Sequence, residues 1–79
     1  MEIRILGPGC PRCHEVEKRT INALADLNLG ADVQKISDFK KMMEYRIMGT
    51  PALVINGKVK CYGRIPSVAE IKEWVKGEL

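Results

Sequence analysis

The chain has 79 residues, 46% hydrophobic and 29% charged, and a formal net charge of +3. That length holds one domain with a modest core, no apolar run approaches the roughly 20 residues of a membrane span, and the basic residues are scattered among acidic ones, which argues against a nucleic-acid partner. Three cysteines, an odd number, do not suit a secreted disulfide scaffold, and the absence of a secretory signal pattern ahead of the first strand leads us to expect a cytoplasmic protein.

Glu2-Ile3-Arg4-Ile5-Leu6 combines β-branched residues with alternation and runs into Gly7-Pro8-Gly9, so it reads as a strand and a tight loop. From Pro11 to about Leu29, Cys13, Val16, Thr20, Leu24 and Leu27 recur at steps of three and four, the pattern of an amphipathic helix. Gly30 is expected to end it in the left-handed conformation, and Glu15 and Arg19 are spaced to pair across one turn. Residues 31–36 alternate weakly and read as a second strand. Strand, helix and strand then form a parallel unit, with the crossover helix laid over one sheet face.

Ser37 or Asp38 can cap a second helix, in which Phe39, Met42, Met43 and Ile47 are expected to form a buried stripe up to Gly49. The methionines read as flexible core filling rather than ligands. Thr50-Pro51 follows, then Ala52-Leu53-Val54-Ile55, Asn56-Gly57 and Lys58-Val59-Lys60-Cys61-Tyr62. Asn-Gly between two β-rich runs predicts an antiparallel hairpin, because both turn positions need positive φ. Ser67-Val68-Ala69-Glu70 is a capping box opening a last helix with Val68, Ile71, Trp74 and Val75 on its apolar side. Trp74 and Cys61 are expected in the core and Tyr62 on the surface.

The chemistry lies in Gly7-Pro8-Gly9-Cys10-Pro11-Arg12-Cys13. Two cysteines two residues apart, between a strand and a helix, read as a redox dithiol. Pro11 suits the first helical position, which puts Cys10 at the helix N-terminus, where free N–H groups and the helix dipole favour a thiolate. Cys13, one turn further in on the apolar side, gains less from that field and loses more to desolvation. Arg12 places a cation beside the pair, and His14 reads as a solvated residue of the first turn.

The order strand, helix, strand, helix, strand, strand, helix, with a C-x-x-C after the first strand, resembles the thioredoxin fold in its minimal, glutaredoxin-sized form. The most specific match is the run from Tyr45 to Val59, with Gly49-Thr50-Pro51 and Asn56-Gly57, which is similar to that family's cis-proline segment and the hairpin after it. The absence of a Trp-Cys-Gly-Pro-Cys motif makes the chain most similar to the small redox-active disulfide proteins of archaea and anaerobic bacteria. The resemblance implies a single α/β domain over residues 1–79, with a four-stranded mixed sheet of order 2-1-3-4 and helices on both faces. It further implies a cytoplasmic thiol-disulfide oxidoreductase, monomeric and needing no cofactor or metal, with Cys10 and Cys13 catalytic and Pro11, Arg12, Thr50 and Pro51 binding substrate. Pro51 would be cis and face the dithiol, and Thr50 would offer its backbone to an incoming peptide. The implied partners are disulfide-containing proteins and a thioredoxin-reductase-like electron donor.

Two departures stand out. Larger thioredoxins carry a buried aspartate six residues before the first cysteine as proton acceptor, where this chain has Arg4. Glutaredoxins follow the fourth strand with Gly-Gly and an acidic pair that hold glutathione; Gly63-Arg64-Ile65-Pro66 stands there instead, leaving glutathione without its usual site and Arg64 as a solvated loop residue.

Two other chemistries fit the same residues. Cys10-Pro11-Arg12-Cys13-His14 matches the C-x-x-C-H pattern of covalent haem attachment, against which the Gly-Thr-Pro segment and the hairpin weigh. Cys10 and Cys13, with His14 or Cys61, could also hold zinc or copper(I) in a protein without catalysis; a closed zinc site wants four ligands, and the sequence has no second C-x-x-C.

Overall fold

The computed structural model describes residues 1–79. Its elements are β1 (Glu2–Leu6), α1 (Pro11–Asp26), β2 (Asp32–Ile36), α2 (Phe39–Glu44), β3 (Ala52–Ile55), β4 (Lys58–Tyr62) and α3 (Val68–Gly77). They build one four-stranded mixed sheet in the order β2-β1-β3-β4. β1 runs parallel to β2 and antiparallel to β3, and β3 runs antiparallel to β4. This is the α/β architecture and strand order of the thioredoxin fold.

Alternation along β1 assigns its side chains to two unequal cores. Ile3 and Ile5 join Leu53, Ile55 and Cys61 beneath α1 and α3, which contribute Val16, Ala23, Leu24, Ile71 and Val75. Leu6, Ala52 and Val54 face the other way, where α2 supplies Met42 alone as a buried partner. Ile3, Ile5, Leu6, Leu53 and Ile55 are at most 1% exposed, so the two central strands are anchored from both faces. The C-terminal end of β1, from which the dithiol loop springs, is therefore held rigid.

Turn and cap chemistry accounts for the connections. Asn56 and Gly57 have φ of 51° and 81°, as a two-residue hairpin turn of mirror-image type requires. A bulge between Leu53 and Val54 in the register with β4 follows it. The capping box is complete, with Glu70 N–H donating to Ser67 Oγ and Ser67 N–H donating to Glu70 Oε1, both at 3.1 Å. Asp38 is the residue that caps α2, accepting from Lys40 N–H at 2.9 Å. Arg19 Nε donates to Glu15 Oε2 at 3.1 Å.

Three expectations are corrected. Helix α1 ends at Asp26, not near Leu29, and the left-handed residue is Asn28 with φ of 54° rather than Gly30. Asn28 N–H reaches the Ala25 carbonyl and Leu29 N–H the Leu24 carbonyl, each at 3.0 Å, the paired bonds of a Schellman ending, whose left-handed position takes asparagine where it does not take glycine. Helix α2 likewise stops early, because Arg46 takes φ of 55°. Ile47 and Met48 leave the helix, the stripe is broken, and Phe39, Met43 and Met48 are 70%, 62% and 87% exposed. Trp74, finally, is only partly buried; it packs at the edge of the larger core with the Arg64 guanidinium 5.8 Å above its ring.

Candidate active site

The site starts where β1 runs out of partners. Gly7 N–H still donates to the Ile36 carbonyl at 3.0 Å, after which Pro8 and Gly9 turn the chain, Gly9 with φ of 84°. Cys10 is the N-cap residue of α1, extended at φ −73° and ψ 166°, and Pro11 is the first helical residue. Its ring supplies the helical φ, and its missing N–H removes a donor that would have had no partner.

Cys10 Sγ lies 3.0 Å from Cys13 Sγ. The two sulfurs differ in surroundings: Cys10 is partly exposed at the helix start, whereas Cys13 is 2% exposed. The Cys10 pKa is lowered, first by the hydrogen bond from the Cys13 thiol and then by the Cys13 backbone N–H, with the Arg12 N–H adding to it. The Cys13 pKa is raised, first by burial and then because its thiol proton is engaged by Cys10. The backbone donors belong to the helix start, but the largest influence on Cys10 is the other cysteine. The side chain of Arg12 is not among the causes; only its backbone is.

Against this pair stands the loop before β3. The Thr50–Pro51 peptide bond is cis, Pro51 is buried, and the Pro51 carbonyl accepts from Gly63 N–H at 2.9 Å. The Gly63 carbonyl in turn accepts from Arg12 Nη2 at 3.1 Å. Thr50 enters none of the backbone hydrogen bonds made outside helices and strands, and strand pairing begins only at Ala52, so its N–H and C=O are available. An apolar groove of about 380 Å³ opens beside it, lined among others by Pro8, Phe39, Met43, Met48 and Thr50.

The structure thus brings Cys10, Pro11, Arg12, Cys13, Thr50 and Pro51 to one end of the sheet. Gly63 joins them unforeseen, because its part is played by backbone atoms that leave no mark on residue type. Other residues named from sequence lie elsewhere. Arg4 turns away, donating to the Asp32 carbonyl at 2.9 Å and to Asp32 Oδ2 at 3.2 Å. Arg64 is not a free solvated residue: it makes a two-pronged bond to Glu70 at 3.1 and 2.8 Å. His14 is exposed, Cys61 is 9% exposed inside the larger core, and no three His, Cys, Asp or Glu side chains converge as metal ligands. No helix is long and apolar enough to cross a membrane.

Comparison with known proteins gives a family match over nearly the whole chain. The family described as thioredoxin domain matches residues 1–76. A thioredoxin of Methanothermobacter thermautotrophicus is 34% identical over 73 residues, 92% of this chain and 95% of the relative. A thioredoxin of Methanocaldococcus jannaschii is 35% identical over 77 residues, 98% of this chain and 88% of the relative.

Proposed function

This chain belongs to the thioredoxin-domain family and is a thiol-disulfide oxidoreductase, and on that premise we propose that Cys10 is its attacking thiolate and Cys13 its resolving thiol. The observation that carries the assignment is the asymmetry of two sulfurs 3.0 Å apart, one at the helix start and partly exposed, the other buried.

Cys10 Sγ attacks one sulfur of a substrate disulfide, that S–S bond breaks, and the departing substrate sulfur takes up a proton. Cys13 then gives up its proton and attacks Cys10 Sγ in the mixed disulfide. A Cys10–Cys13 bond forms, the second substrate sulfur leaves as a thiol, and two electrons have passed to the substrate. A dithiol donor of the reductase type reverses the sequence on this chain. Because attack must reach a sulfur within a folded partner, the free N–H and C=O of Thr50 serve as a short antiparallel strand template for the substrate, with Pro51 and Pro11 forming the walls beside the dithiol.

Neither competing chemistry has comparable support. A metal site lacks converging ligands beyond the pair, and a haem protein has no need of a Thr50 template beside its cysteines. Trapping decides the matter. Cys13→Ser is expected to accumulate mixed disulfides with protein substrates, and Cys10→Ser to abolish their reduction; a Cys10→Ser protein that still turns over refutes the assignment.

A further inference from the structure

Gly7 is buried at the end of β1, and its φ lies outside the left-handed region that Gly9, Gly57 and Gly63 occupy. Conformational freedom therefore does not explain a glycine there, and space does. A methyl group on Gly7 would overlap Cys13 Sγ, approach Cys13 Cβ to 3.4 Å and lie 3.8 Å from Thr50 Cβ.

We infer that Gly7 is a positioning residue of the dithiol: the notch left by its missing side chain is the space in which Cys13 Sγ sits, and this holds that sulfur 3.0 Å from Cys10 Sγ. Neither backbone can give way. β1 is paired on both sides, with Gly7 itself bonded to Ile36, and α1 is fixed by Val16, Ala23 and Leu24 in the core. A side chain at residue 7 is accommodated only by rotating Cys13 Sγ out of the notch.

The consequences have opposite signs at the two thiols. Burial is the first cause of the raised Cys13 pKa, so a displaced Cys13 moves back toward an ordinary thiol. The hydrogen bond from Cys13 is the first cause of the lowered Cys10 pKa, so Cys10 rises. The groups facing the notch are Cys10 at the N-cap of α1, 3.0 Å from Cys13 Sγ, Thr50 from the loop before β3, and Lys35 and Ser37 across a cleft of about 230 Å³ that Cys13 also lines. Lys35 pairs with Glu17 of α1 at 3.6 Å and is not among the causes of the Cys13 shift.

The inference rests on the proposed roles of the two cysteines, and its test separates the two. In Gly7→Ala the ratio of Cys10 to Cys13 alkylation near neutral pH is expected to fall severalfold, because the thiolate fraction of Cys13 rises as its pKa moves back toward that of Cys10. Gly30→Ala, whose added methyl meets nothing within 4 Å, is expected to leave the ratio unchanged. A double-mutant cycle supplies a second readout: Gly7→Ala destabilises the wild-type chain but not Cys13→Ala, in which no sulfur occupies the notch. If Gly7→Ala does not fold, restoration of folding by Cys13→Ala supports the inference, and continued failure overturns it. An unchanged alkylation ratio, or an equal stability cost in both backgrounds, also overturns it. A wild-type chain in which Cys13 alkylates first refutes the roles of the cysteines while leaving the cycle to decide on Gly7.

Discussion

Arg12 Nη2 donates to the Gly63 carbonyl at 3.1 Å, so the dithiol helix is tied to the loop between β4 and α3, whose Gly63 N–H in turn holds the Pro51 carbonyl. Three segments distant in sequence meet through one side chain and three backbone groups. The guanidinium acts here as a brace. Arg12→Ala is expected to cost about 0.5–1.5 kcal/mol, near the low end because the bond is exposed. It should leave the pH midpoint of Cys10 alkylation where it was, since the Arg12 contribution to Cys10 is its backbone N–H. A midpoint that rises in Arg12→Ala would show that the charge acts on the thiolate directly.

The pH dependence of the wild-type thiols follows from the same causes. With the Cys10 pKa lowered and that of Cys13 raised, alkylation of the reduced chain at rising pH should label Cys10 first, and Cys13 only above the ordinary thiol range. Cys13→Ala removes the largest cause at Cys10 and keeps the backbone donors. Its Cys10 midpoint should therefore rise, yet stay below that of a free cysteine. A midpoint that does not move would assign the whole effect to the helix start.

Glu70 ties stability to acid. Its pKa is lowered to about 2, first by the two-pronged bond from Arg64 and next by the Ser67 N–H. A carboxylate whose folded pKa lies below its unfolded value of about 4.3 contributes stability that is complete above the unfolded value and is lost as pH falls through the folded one. Glu70→Gln keeps an acceptor for Ser67 but loses the charge. The melting temperatures of wild type and Glu70→Gln should differ at pH 7 and converge toward pH 2. Parallel curves over that range would mean that the pair with Arg64 carries no pH-dependent stability.

The legibility of this chain divides along a physical line. Features set within a few residues could be read directly: the Asn56-Gly57 turn, the Ser67 and Glu70 capping box, and Pro11 opening the dithiol helix all depend on local backbone rules. Features set by what approaches from elsewhere could not. Gly7 looks like any loop glycine until Cys13 is seen against it, and Gly63 contributes only its peptide atoms. The ending of α1 went to Asn28 because the apolar periodicity carries on through Leu27, and nothing in that pattern marks which of Asn28 and Gly30 turns left-handed.

The second helix offers the sharpest contrast between pattern and packing. Phe39, Met42, Met43 and Ile47 have the spacing of a buried stripe, yet α2 has six residues and covers its sheet face alone, so only Met42 reaches the core at 8% exposed. Met42→Ala should cost about 2 kcal/mol, as a core truncation does. Phe39→Ser and Met48→Ser should change stability by no more than about 0.5 kcal/mol, as surface substitutions do. The two exposed residues also line the groove that Thr50 and Pro8 share with the dithiol rim, where a folded disulfide partner would lie and a small disulfide would not reach. Their replacement is therefore expected to raise KM for a protein disulfide while leaving reduction of a small aromatic disulfide unchanged. Equal losses with both substrates would place the effect on the thiols, and a large stability loss in either variant would show that the face is packed.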